Sequence, residues 1–275
     1  MIDSTNQPIA RRDDGQRVEP GDGTLPVLKE LTRGKLLTIG TACYISRYGL
    51  FITAGHVIDA LRDEAGNLGI SFLLHLAPES KVYLRQIKAV AISPTFDIAI
   101  GQADNYVEKF PDNPLMNFRA RISTTPPEPN SWVATYAYPE NEVMDFTKSE
   151  LRNEVRGNFF TGKFLRNVEV SENPFIPYPH FETSIQLKSG ASGGPVFDKR
   201  GRVIGVNCRG WDFGENYEGE HLSSIVPVGY LMPMELAFLQ IPPNSWEATQ
   251  VPLDRRGKAL TVAELVRYGH IELLP

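Results

Sequence analysis

Short runs of β-branched and aromatic residues alternate with Gly, Asn, Pro and Asp along most of the chain from Lys35 onwards. Runs of this length, bounded by turn residues, indicate β-strands. A first group comprises KLLTIGTACYIS, GLFITAG, ISFLLHL, KVYLRQIKAVAI and DIAIGQA, and a second comprises SWVATYAYP, ETSIQLKSG, GGPVFD, GRVIGVNCRG and SSIVPVG. The Pro-rich segment TTPPEPN at 124–130 separates the two groups. The pattern therefore predicts two successive antiparallel β units, and the spacing of strands and turns favours a barrel.

The segments outside these strand groups have other patterns. Residues 1–27 are rich in Asp, Gly, Pro and Arg without sustained periodicity, which predicts a flexible arm outside the core. PMELAFLQ at 233–240 predicts a short helix that begins at proline. TVAELVRYG at 261–269 predicts one more helix, with a threonine N-cap, a glutamate three residues later and a glycine at its end. We therefore divide the chain into an arm (1–27), a first β-barrel (28–125), a second β-barrel with a helix (126–240) and a C-terminal extension (241–275).

Composition and charge exclude several classes of partner. The 275 residues are 41% hydrophobic and 22% charged, which is typical of a soluble, turn-rich, mostly β protein when combined with 23 Gly and 21 Pro. The formal net charge of −5 gives no general attraction to nucleic acid or anionic lipid. The longest apolar runs are far shorter than the roughly 20 residues that cross a bilayer. We expect neither a nucleic-acid partner nor a membrane one.

Two features of the sequence indicate the cellular compartment of the protein. The N-terminal residues lack the apolar core of a secretory signal, which favours a cytoplasmic location. The two cysteines, Cys43 and Cys208, cannot build a disulfide framework of the kind that stabilises small secreted domains. We expect both as thiols in a reducing compartment, with a single bridge between them as the less favoured alternative.

The segment KSGASGGPVFD contains the strongest chemical signal in the sequence. Ser192 lies between Gly190 and Gly193, and glycines on both sides permit a tight, exposed turn with room for a substrate carbonyl. The backbone N–H groups of Gly190 and Ser192 are the candidate donors for an oxyanion. Taken alone, a Gly-rich turn with serine is equally often a plain loop.

Two further polar residues interrupt apolar strand patterns. His56 follows the apolar run of LFITAGHVI, a setting that places an imidazole at a strand end beside a cleft. Asp97 stands in SPTFDIAI, where a carboxylate must find hydrogen-bond donors or be costly to bury. Each residue has an ordinary alternative when considered alone: a structural or surface histidine, and a turn aspartate that caps backbone amides.

The three motifs occur once each, in the order His, Asp, Ser. TAGHV, DIAI and GASGGPV resemble the histidine, aspartate and serine motifs of chymotrypsin-like serine proteases, which have the same chain order, and the resemblance spans about residues 35–240. It implies an all-β fold of two packed six-stranded antiparallel β-barrels with a short C-terminal helix and the active site between the barrels. It also implies His56 as general base, Asp97 as the carboxylate that orients it and Ser192 as nucleophile. This chemistry requires no metal and no cofactor.

The chain departs from the digestive members of this family beside the nucleophile. Those enzymes have an aspartate before the serine, which pairs with a new N-terminus after zymogen cleavage, whereas this chain has Ala191. We therefore expect that activity does not require cleavage of the chain. In this respect the sequence is more similar to bacterial heat-shock serine proteases and glutamyl endopeptidases.

The resemblance also implies a set of substrate-binding residues, with Gln186 at the floor of the primary specificity pocket and Asn207 on the following strand. Neither side chain is charged, so we predict a preference for uncharged residues of small to medium size before the scissile bond. Cys208 is either a reactive second nucleophile or, as we favour, a buried small side chain that substitutes for serine. The full set comprises Gln186, Asn207, Cys208, Arg209, Gly210 and Ser223.

The sequence therefore predicts a serine endopeptidase that hydrolyses peptide bonds through a His-Asp-Ser triad and an acyl-enzyme intermediate. Its substrate is a polypeptide, and the resemblance leaves room for a regulatory protein partner. The alternative function is a catalytically silent, protease-like module that binds a peptide or a partner protein. In that case the segments at 1–27 and 241–275 are candidate contact segments.

Overall fold

The computed structural model describes residues 10–11, 17–18, 23–46, 49–77, 81–104, 120–139, 143–147, 150–151, 155–169, 174–210, 222–236 and 259–275. Strands dominate these ranges. A two-stranded antiparallel sheet of Ala10–Arg11 (β1) and Arg17–Val18 (β2) comes first. The helical elements are short: Gly55–Ala60 (α1), a 3-10 helix at Val228–Leu231, and Val262–Arg267 (α2). None of the described helices is long and apolar enough to span a membrane.

The first barrel consists of six antiparallel strands: Thr24–Thr32 (β3), Lys35–Tyr44 (β4), Leu50–Thr53 (β5), Ser71–Ala77 (β6), Lys81–Ile92 (β7) and Ala99–Ala103 (β8). They follow one another around the wall in the order β3, β6, β7, β8, β5 and β4, and β4 pairs again with β3. Side chains of a strand alternate between its two faces, and the inward set includes the fully buried Leu25, Val27, Phe51 and Leu73. These apolar side chains form the core of the first barrel.

The second barrel also consists of six antiparallel strands: Trp132–Ala137 (β9), Asn158–Val168 (β12), His180–Thr183 (β13), Pro195–Asp198 (β14), Val203–Gly210 (β15) and Ser223–Pro227 (β16). Phe164, Phe181, Ile204 and Ile225 are among the buried side chains of its core. Two strands that lie between β9 and β12 in sequence, Val143–Thr147 (β10) and Glu150–Leu151 (β11), instead extend the sheet of the first barrel along β4. The predicted fold of two six-stranded antiparallel barrels is confirmed.

A third hydrophobic cluster joins the two barrels. It contains Ile52 and Ile100 from the first barrel together with Val206 and Val226 from the second. Full burial of side chains of this size contributes about 1.5–3 kcal/mol each. The barrels are therefore packed on a shared core, which brings the loops at their junction together.

The described part of the C-terminal segment, which the sequence places in an extension at 241–275, packs on this shared core. Leu260, Leu265 and Ile271 are buried in the cluster. Backbone hydrogen bonds also join Ile122 to the last residues of the chain. The partners of these apolar residues lie far away in sequence, and a local pattern therefore gives no sign of their burial.

Helix α2 confirms the helix predicted near the C-terminus. The Thr261 hydroxyl accepts a hydrogen bond from the Glu264 N–H at 3.2 Å, and the Glu264 carboxylate accepts one from the Thr261 N–H at 2.7 Å. These two bonds form the expected capping box. Gly269 has a φ of 75°, a conformation that ends many helices.

The helix predicted at 233–240 is wrong where the structure describes it. Its first residues form a turn and an extended bridge between Glu235 and Thr261. The Leu236 N–H donates to the Leu260 carbonyl at 3.0 Å and continues this pairing. Contacts with a distant segment thus override the local helix pattern, and the last four residues of the predicted helix lie outside the described residues.

The first barrel begins at Thr24 and not at residue 28 as predicted. Leu25 and Val27 are fully buried, and the Tyr138 hydroxyl donates to the Thr24 carbonyl at 3.0 Å. Two apolar residues around a proline are too short a run to indicate a strand by themselves. Their burial depends on the strands that pair with them on both sides.

Candidate active site

A short helix at the end of a barrel strand presents His56. Helix α1 begins at Gly55 directly after β5, and Val57 and Ile58 anchor it in the core of the first barrel. The imidazole is 48% exposed. A Cβ at Gly55 would lie 2.9 Å from Oδ1 of Asp97, so the close approach of this carboxylate requires glycine.

Asp97 lies in the tight connection between β7 and β8. Ser93 closes this connection, since its N–H donates to the Ile98 carbonyl at 2.9 Å and its hydroxyl accepts from the Phe96 N–H at 3.2 Å. The Asp97 carboxylate accepts the His56 backbone N–H on Oδ1 and Nδ1 of the imidazole on Oδ2, each at 2.7 Å. Two bonds to one residue fix the plane of the ring. An ionised carboxylate in this position requires the imidazole proton on Nδ1.

Cys208 provides a third hydrogen bond to the same carboxylate. Its Sγ lies 2.8 Å from Oδ2 of Asp97 and 3.1 Å from the hydroxyl of Tyr178, which packs edge-on against Phe96. Burial raises the pKa of Asp97, but the hydrogen bond and charge of His56 and the bond from Cys208 outweigh this effect and hold the pKa below its ordinary value. The carboxylate, 17% exposed, is therefore ionised at neutral pH.

The thiol of Cys208 acts as a hydrogen-bond donor. Burial raises the pKa of this thiol, and the negative charge of Asp97 and the hydrogen bond to it raise the pKa further. The residue is 7% exposed, and a thiol in such surroundings stays protonated and unreactive. These observations favour a buried replacement for serine over a second nucleophile. Cys43 and Cys208 are both free thiols, as the sequence predicts.

Ser192 approaches this group from the second barrel, on the turn before β14. Its Oγ lies 3.5 Å from the carbonyl oxygen of Cys208, the residue whose thiol contacts Asp97. Its own carbonyl accepts the N–H of Thr41, on β4, at 2.8 Å. The first barrel therefore holds the backbone of the candidate nucleophile, and Cys208 contacts both Ser192 and Asp97. Among the described residues, no hydrogen bond joins Ser192 Oγ to the imidazole of His56.

The backbone before Ser192 has the features of a type II turn. The Ala191 N–H donates to the Lys188 carbonyl at 3.0 Å, and Gly190 at the third position has a φ of 89°. A type I turn would rotate the peptide between Ser189 and Gly190, and with it the Gly190 N–H, by roughly half a turn. Within the described part of the chain, neither the Gly190 N–H nor the Ser192 N–H has a protein acceptor. Both donors are therefore available to a ligand.

Glycine is also required directly after Ser192. Gly193 has a φ of 81°, and a Cβ there would collide with the hydroxyl of Thr53 and the carbonyl of Thr41. Its N–H donates to the Asn207 carbonyl at 2.7 Å. The Gly-rich motif therefore reflects both the shape of the turn and its close contact with the first barrel.

Asn207 and Ser223 do not line a pocket, contrary to the sequence prediction. Asn207 is 0% exposed, and its Nδ2 donates to the Thr135 hydroxyl at 2.8 Å. Ser223 is buried, and its hydroxyl lies 2.7 Å from that of Thr183. Both side chains are buried, and internal hydrogen bonds hold the Asn207 Nδ2 and the Ser223 hydroxyl, so neither residue is placed to contact a substrate.

Gln186 is exposed and does not form a recessed floor, which corrects its predicted place. The preceding Ile185 is buried in the core of the second barrel, and this burial turns Gln186 outwards. The following Leu187 lies against Gly210, where an added Cβ would be 2.8 Å from the Leu187 Cβ. An apolar side chain therefore borders β15 at this point.

Arg209 is exposed near the end of β15 and adjoins the buried Cys208. Its guanidinium carbon lies 5.0 Å from the ring centre of Phe175, a cation–π contact. The pair places a positive charge and an aromatic surface at one edge of the candidate site.

Sequence reasoning missed Thr41 and Tyr178. The Thr41 hydroxyl donates to the Gly190 carbonyl at 3.1 Å, across 149 residues of sequence. Tyr178 contacts Cys208, 30 residues further along the chain. Nothing in the neighbouring sequence marks either residue, because each contributes through a contact that exists only after the barrels have formed.

One group of possible metal ligands lies together in the described part of the chain. The candidate ligand atoms of His56, Asp97 and Cys208 are all within 4.8 Å of one another. In this structure Nδ1 of His56 and Sγ of Cys208 each form a hydrogen bond to Oδ2 of Asp97. An imidazole that a carboxylate orients in this way can accept and return a proton at its other nitrogen, Nε2.

Comparison with known proteins shows what this chain is similar to in sequence and in fold. The sequence pattern of the trypsin-like peptidase domain matches residues 40–206, more than half of the chain. No curated protein matches the sequence. The fold is similar to the crystal structure of Deg5, with a TM-score of 0.52, 15% identity, and coverage of 76% of this chain and 85% of that one. It is also similar to the active form of the Rv3671c protease from M. tuberculosis, with a TM-score of 0.50, 16% identity, and coverage of 77% and 78%.

Proposed function

This chain belongs to the trypsin-like peptidase family, and from that premise we propose that it is a serine endopeptidase acting through His56, Asp97 and Ser192. One observation carries the proposal: an ionised, largely buried carboxylate bonds Nδ1 of an exposed imidazole at 2.7 Å. In the neutral imidazole this contact selects the tautomer with the proton on Nδ1, so that Nε2 is the nitrogen that can act as a general base. Ser192 lies on a glycine turn, its Oγ is 3.5 Å from the carbonyl of Cys208, whose thiol contacts Asp97, and we assign it as the nucleophile.

The proposed reaction has two stages. The Ser192 hydroxyl attacks the scissile carbonyl carbon while Nε2 of His56 takes the hydroxyl proton. The C–N bond then breaks, the amine leaves with that proton, and the acyl group stays on Ser192. Water attacks the acyl-enzyme by the same route and releases the acid. Asp97 keeps its proton-free state throughout and stabilises the imidazolium that forms in each stage.

The N–H groups of Gly190 and Ser192 are the proposed oxyanion donors. Both lack a protein acceptor within the described residues, and a type II turn fixes the direction of the first. Backbone donors held in place before the reaction stabilise the negative charge of the tetrahedral intermediate without reorganisation. Loss of one such donor typically lowers kcat by about 10²–10³-fold.

The proposed substrate is a polypeptide with an uncharged residue of small to medium size before the scissile bond. Leu187, against Gly210, is an apolar border of the cleft, and it offers no partner for a buried cation or carboxylate. A peptide library with all residues at this position tests the preference. We expect cleavage after uncharged residues, and a dominant Arg, Lys or Glu before the cut contradicts it.

We also propose a cytoplasmic location, on the support of two buried free thiols. A regulatory protein partner stays a prediction from family resemblance.

Single substitutions test the proposed function. Ser192→Ala and His56→Ala should each lower kcat for a protein substrate by a factor on the order of 10⁶, because triad members act as a unit. Ser184→Ala is the matched control, since this hydroxyl accepts the Lys163 N–H at 2.9 Å and, among the described residues, has no hydrogen bond to His56, Asp97 or Ser192. The control should hydrolyse substrate like the wild type. Full activity of Ser192→Ala contradicts the proposal, and an inert wild type that binds peptides favours the silent module.

A further inference from the structure

The turn that carries Ser192 has no charged anchor. Ala191, directly before the serine, is fully buried and has a methyl group where digestive relatives have a carboxylate. The backbone of the turn must still be held, because the direction of the Ser192 N–H depends on the peptide that joins it to Ala191. In a trans peptide the C=O and N–H point in opposite directions. Whatever binds the Ala191 carbonyl therefore sets the direction of the Ser192 N–H.

Asn207 binds that carbonyl. Its Nδ2 donates to the Ala191 oxygen at 3.1 Å, and the Gly194 N–H donates to the same oxygen at 3.1 Å. The Asn207 backbone also accepts from the Gly193 N–H at 2.7 Å and donates to the Gly194 carbonyl at 2.8 Å. One residue of β15 thus contacts three of the residues around the nucleophile.

The second amide donor of Asn207 is held by Thr135 on β9, at 2.8 Å. This bond and the bond to Ala191 together fix the plane of the amide, because both use Nδ2. The orientation with Nδ2 towards Ala191 is the favourable one, since the flipped amide would place two carbonyl oxygens against each other. Asn207 is therefore held from a neighbouring strand while it holds the turn.

The environment of Oδ1 of Asn207 indicates that the amide is needed for its contact with Ala191. Oδ1 of Asn207 is buried and has no hydrogen-bond partner among the described residues. A buried, unpaired acceptor destabilises a folded protein. An aliphatic side chain of similar volume would fill the same place without that penalty. The amide therefore serves a purpose other than filling space.

We propose that Asn207 is a positioning residue that locks the Ser192 N–H towards the cleft. It takes the place of the ion pair that cleavage creates in digestive enzymes, and it keeps the oxyanion donors arranged in the uncut chain. The proposal rests on the proposed peptidase function. The proposal depends on the hydrogen bond from Asn207 Nδ2 to the Ala191 carbonyl. This bond holds the carbonyl inwards, so the Ser192 N–H of the same peptide points outwards.

Asn207→Leu removes this donor and keeps the branched shape of the side chain. We expect kcat to fall by a factor on the order of 10², with little change in KM, as for the loss of one oxyanion donor. Circular dichroism measures the folded fraction of each variant, and kcat is calculated per folded molecule. Ile204→Ala is the control, because Ile204 lies on the same strand and its loss leaves a cavity in the core of the second barrel. It should lower stability but leave kcat per folded molecule unchanged.

Asn207→Asp distinguishes a positioning role from a purely structural one, because only the positioning role predicts that the effect on kcat depends on pH. An ionised carboxylate repels the Ala191 carbonyl, whereas a protonated one donates its O–H to it, and burial raises the pKa of a carboxyl group. The ratio of kcat for this variant to kcat for the wild type should therefore rise as pH falls. A peptidyl boronate mimics the tetrahedral intermediate. Its dissociation constant for Asn207→Asp should rise under the conditions in which kcat of this variant falls.

Two results overturn this role. One is an Asn207→Leu variant whose kcat per folded molecule equals that of the wild type. The other is a ratio for Asn207→Asp that does not change with pH. An inert wild type with unmodified Ser192 is a separate outcome, which overturns the proposed function and this role together.

Discussion

At the scale of single residues, the site is organised by the carboxylate of Asp97. It accepts the backbone N–H and the ring Nδ1 of His56 and the thiol of Cys208, all within 2.8 Å. Three donors on one carboxylate compensate for its partial burial and keep it ionised. The same bonds fix the tautomer of His56, so stability and proposed chemistry depend on one group.

Replacing Asp97 with Asn should lower kcat roughly 10⁴-fold, because the amide favours the wrong tautomer of His56. It should also change the pH dependence of stability. The pKa of Asp97 is lower in the folded protein than its ordinary value. Its stabilising contribution is therefore present above about pH 4, the unfolded value, and is lost as pH falls through the folded value.

Denaturant unfolding at several pH values measures this effect. The difference in unfolding free energy between the wild type and Asp97→Asn should be largest near neutral pH and shrink below about pH 4. Asp59→Asn is the control, because the Asp59 side chain is 65% exposed on the same short helix as His56. A difference that stays constant down to pH 3 contradicts the assignment of an ionised Asp97.

The thiol of Cys208 should be replaceable by a hydroxyl but not by a methyl group. Cys208→Ser keeps a donor for Asp97 and should change kcat/KM by less than about tenfold, whereas Cys208→Ala loses the bond and should be the less active of the two. Iodoacetamide should modify the thiol slowly in the folded protein, because burial raises its pKa. Rapid alkylation of Cys208 together with an inactive Cys208→Ser variant would instead indicate that the thiol is a second nucleophile.

At the scale of elements, sequence reasoning succeeded where a motif is self-contained. His56 follows a strand, Asp97 lies in a tight connection and Ser192 lies in a glycine turn, and short-range rules describe all three. It failed for Asn207 on β15, which has a register irregularity between Asn207 and Arg209. Such a bulge changes which side chains face inwards, and it depends on the neighbouring strand as well as on local sequence.

Helix α2 gives a second example of this difference. Its capping box and glycine end are local features and were predicted, but its role in the shared core was not. Its buried side chains, Val262 and Leu265, belong to a cluster that also contains residues of both barrels, far away in sequence. A six-residue helix is marginal alone, so packing supplies most of its stability.

Leu265→Ala should lower the free energy of unfolding by about 2–5 kcal/mol, because it leaves a cavity in the shared core. Ala263→Gln is the control, since Ala263 is exposed on the same helix. It should change stability by less than about 0.5 kcal/mol. Equal, small effects of both substitutions in a denaturant titration would show that α2 does not pack as described.

At the scale of the whole molecule, the candidate site depends on the docking of the two barrels. The bond from the Cys208 thiol to Asp97 and the bond from the Thr41 N–H to Ser192 both cross between them. The shared hydrophobic cluster holds the barrels in this arrangement. The two-barrel fold was accessible from the sequence through the spacing of strands and motifs. The contribution of the C-terminal segment was not, because it exists only in the assembled core.

The central claim is that Ser192 is an activated nucleophile in the intact chain. Its most direct test is reaction of the full-length protein with a fluorophosphonate, followed by mass spectrometry of the intact protein and of its peptides. The account predicts one phosphonyl group per uncut chain, located on Ser192, with labelling preserved in Ser184→Ala and abolished in His56→Ala and in heat-unfolded protein. An unlabelled Ser192 in the folded wild type, or equal labelling after His56→Ala, would contradict it.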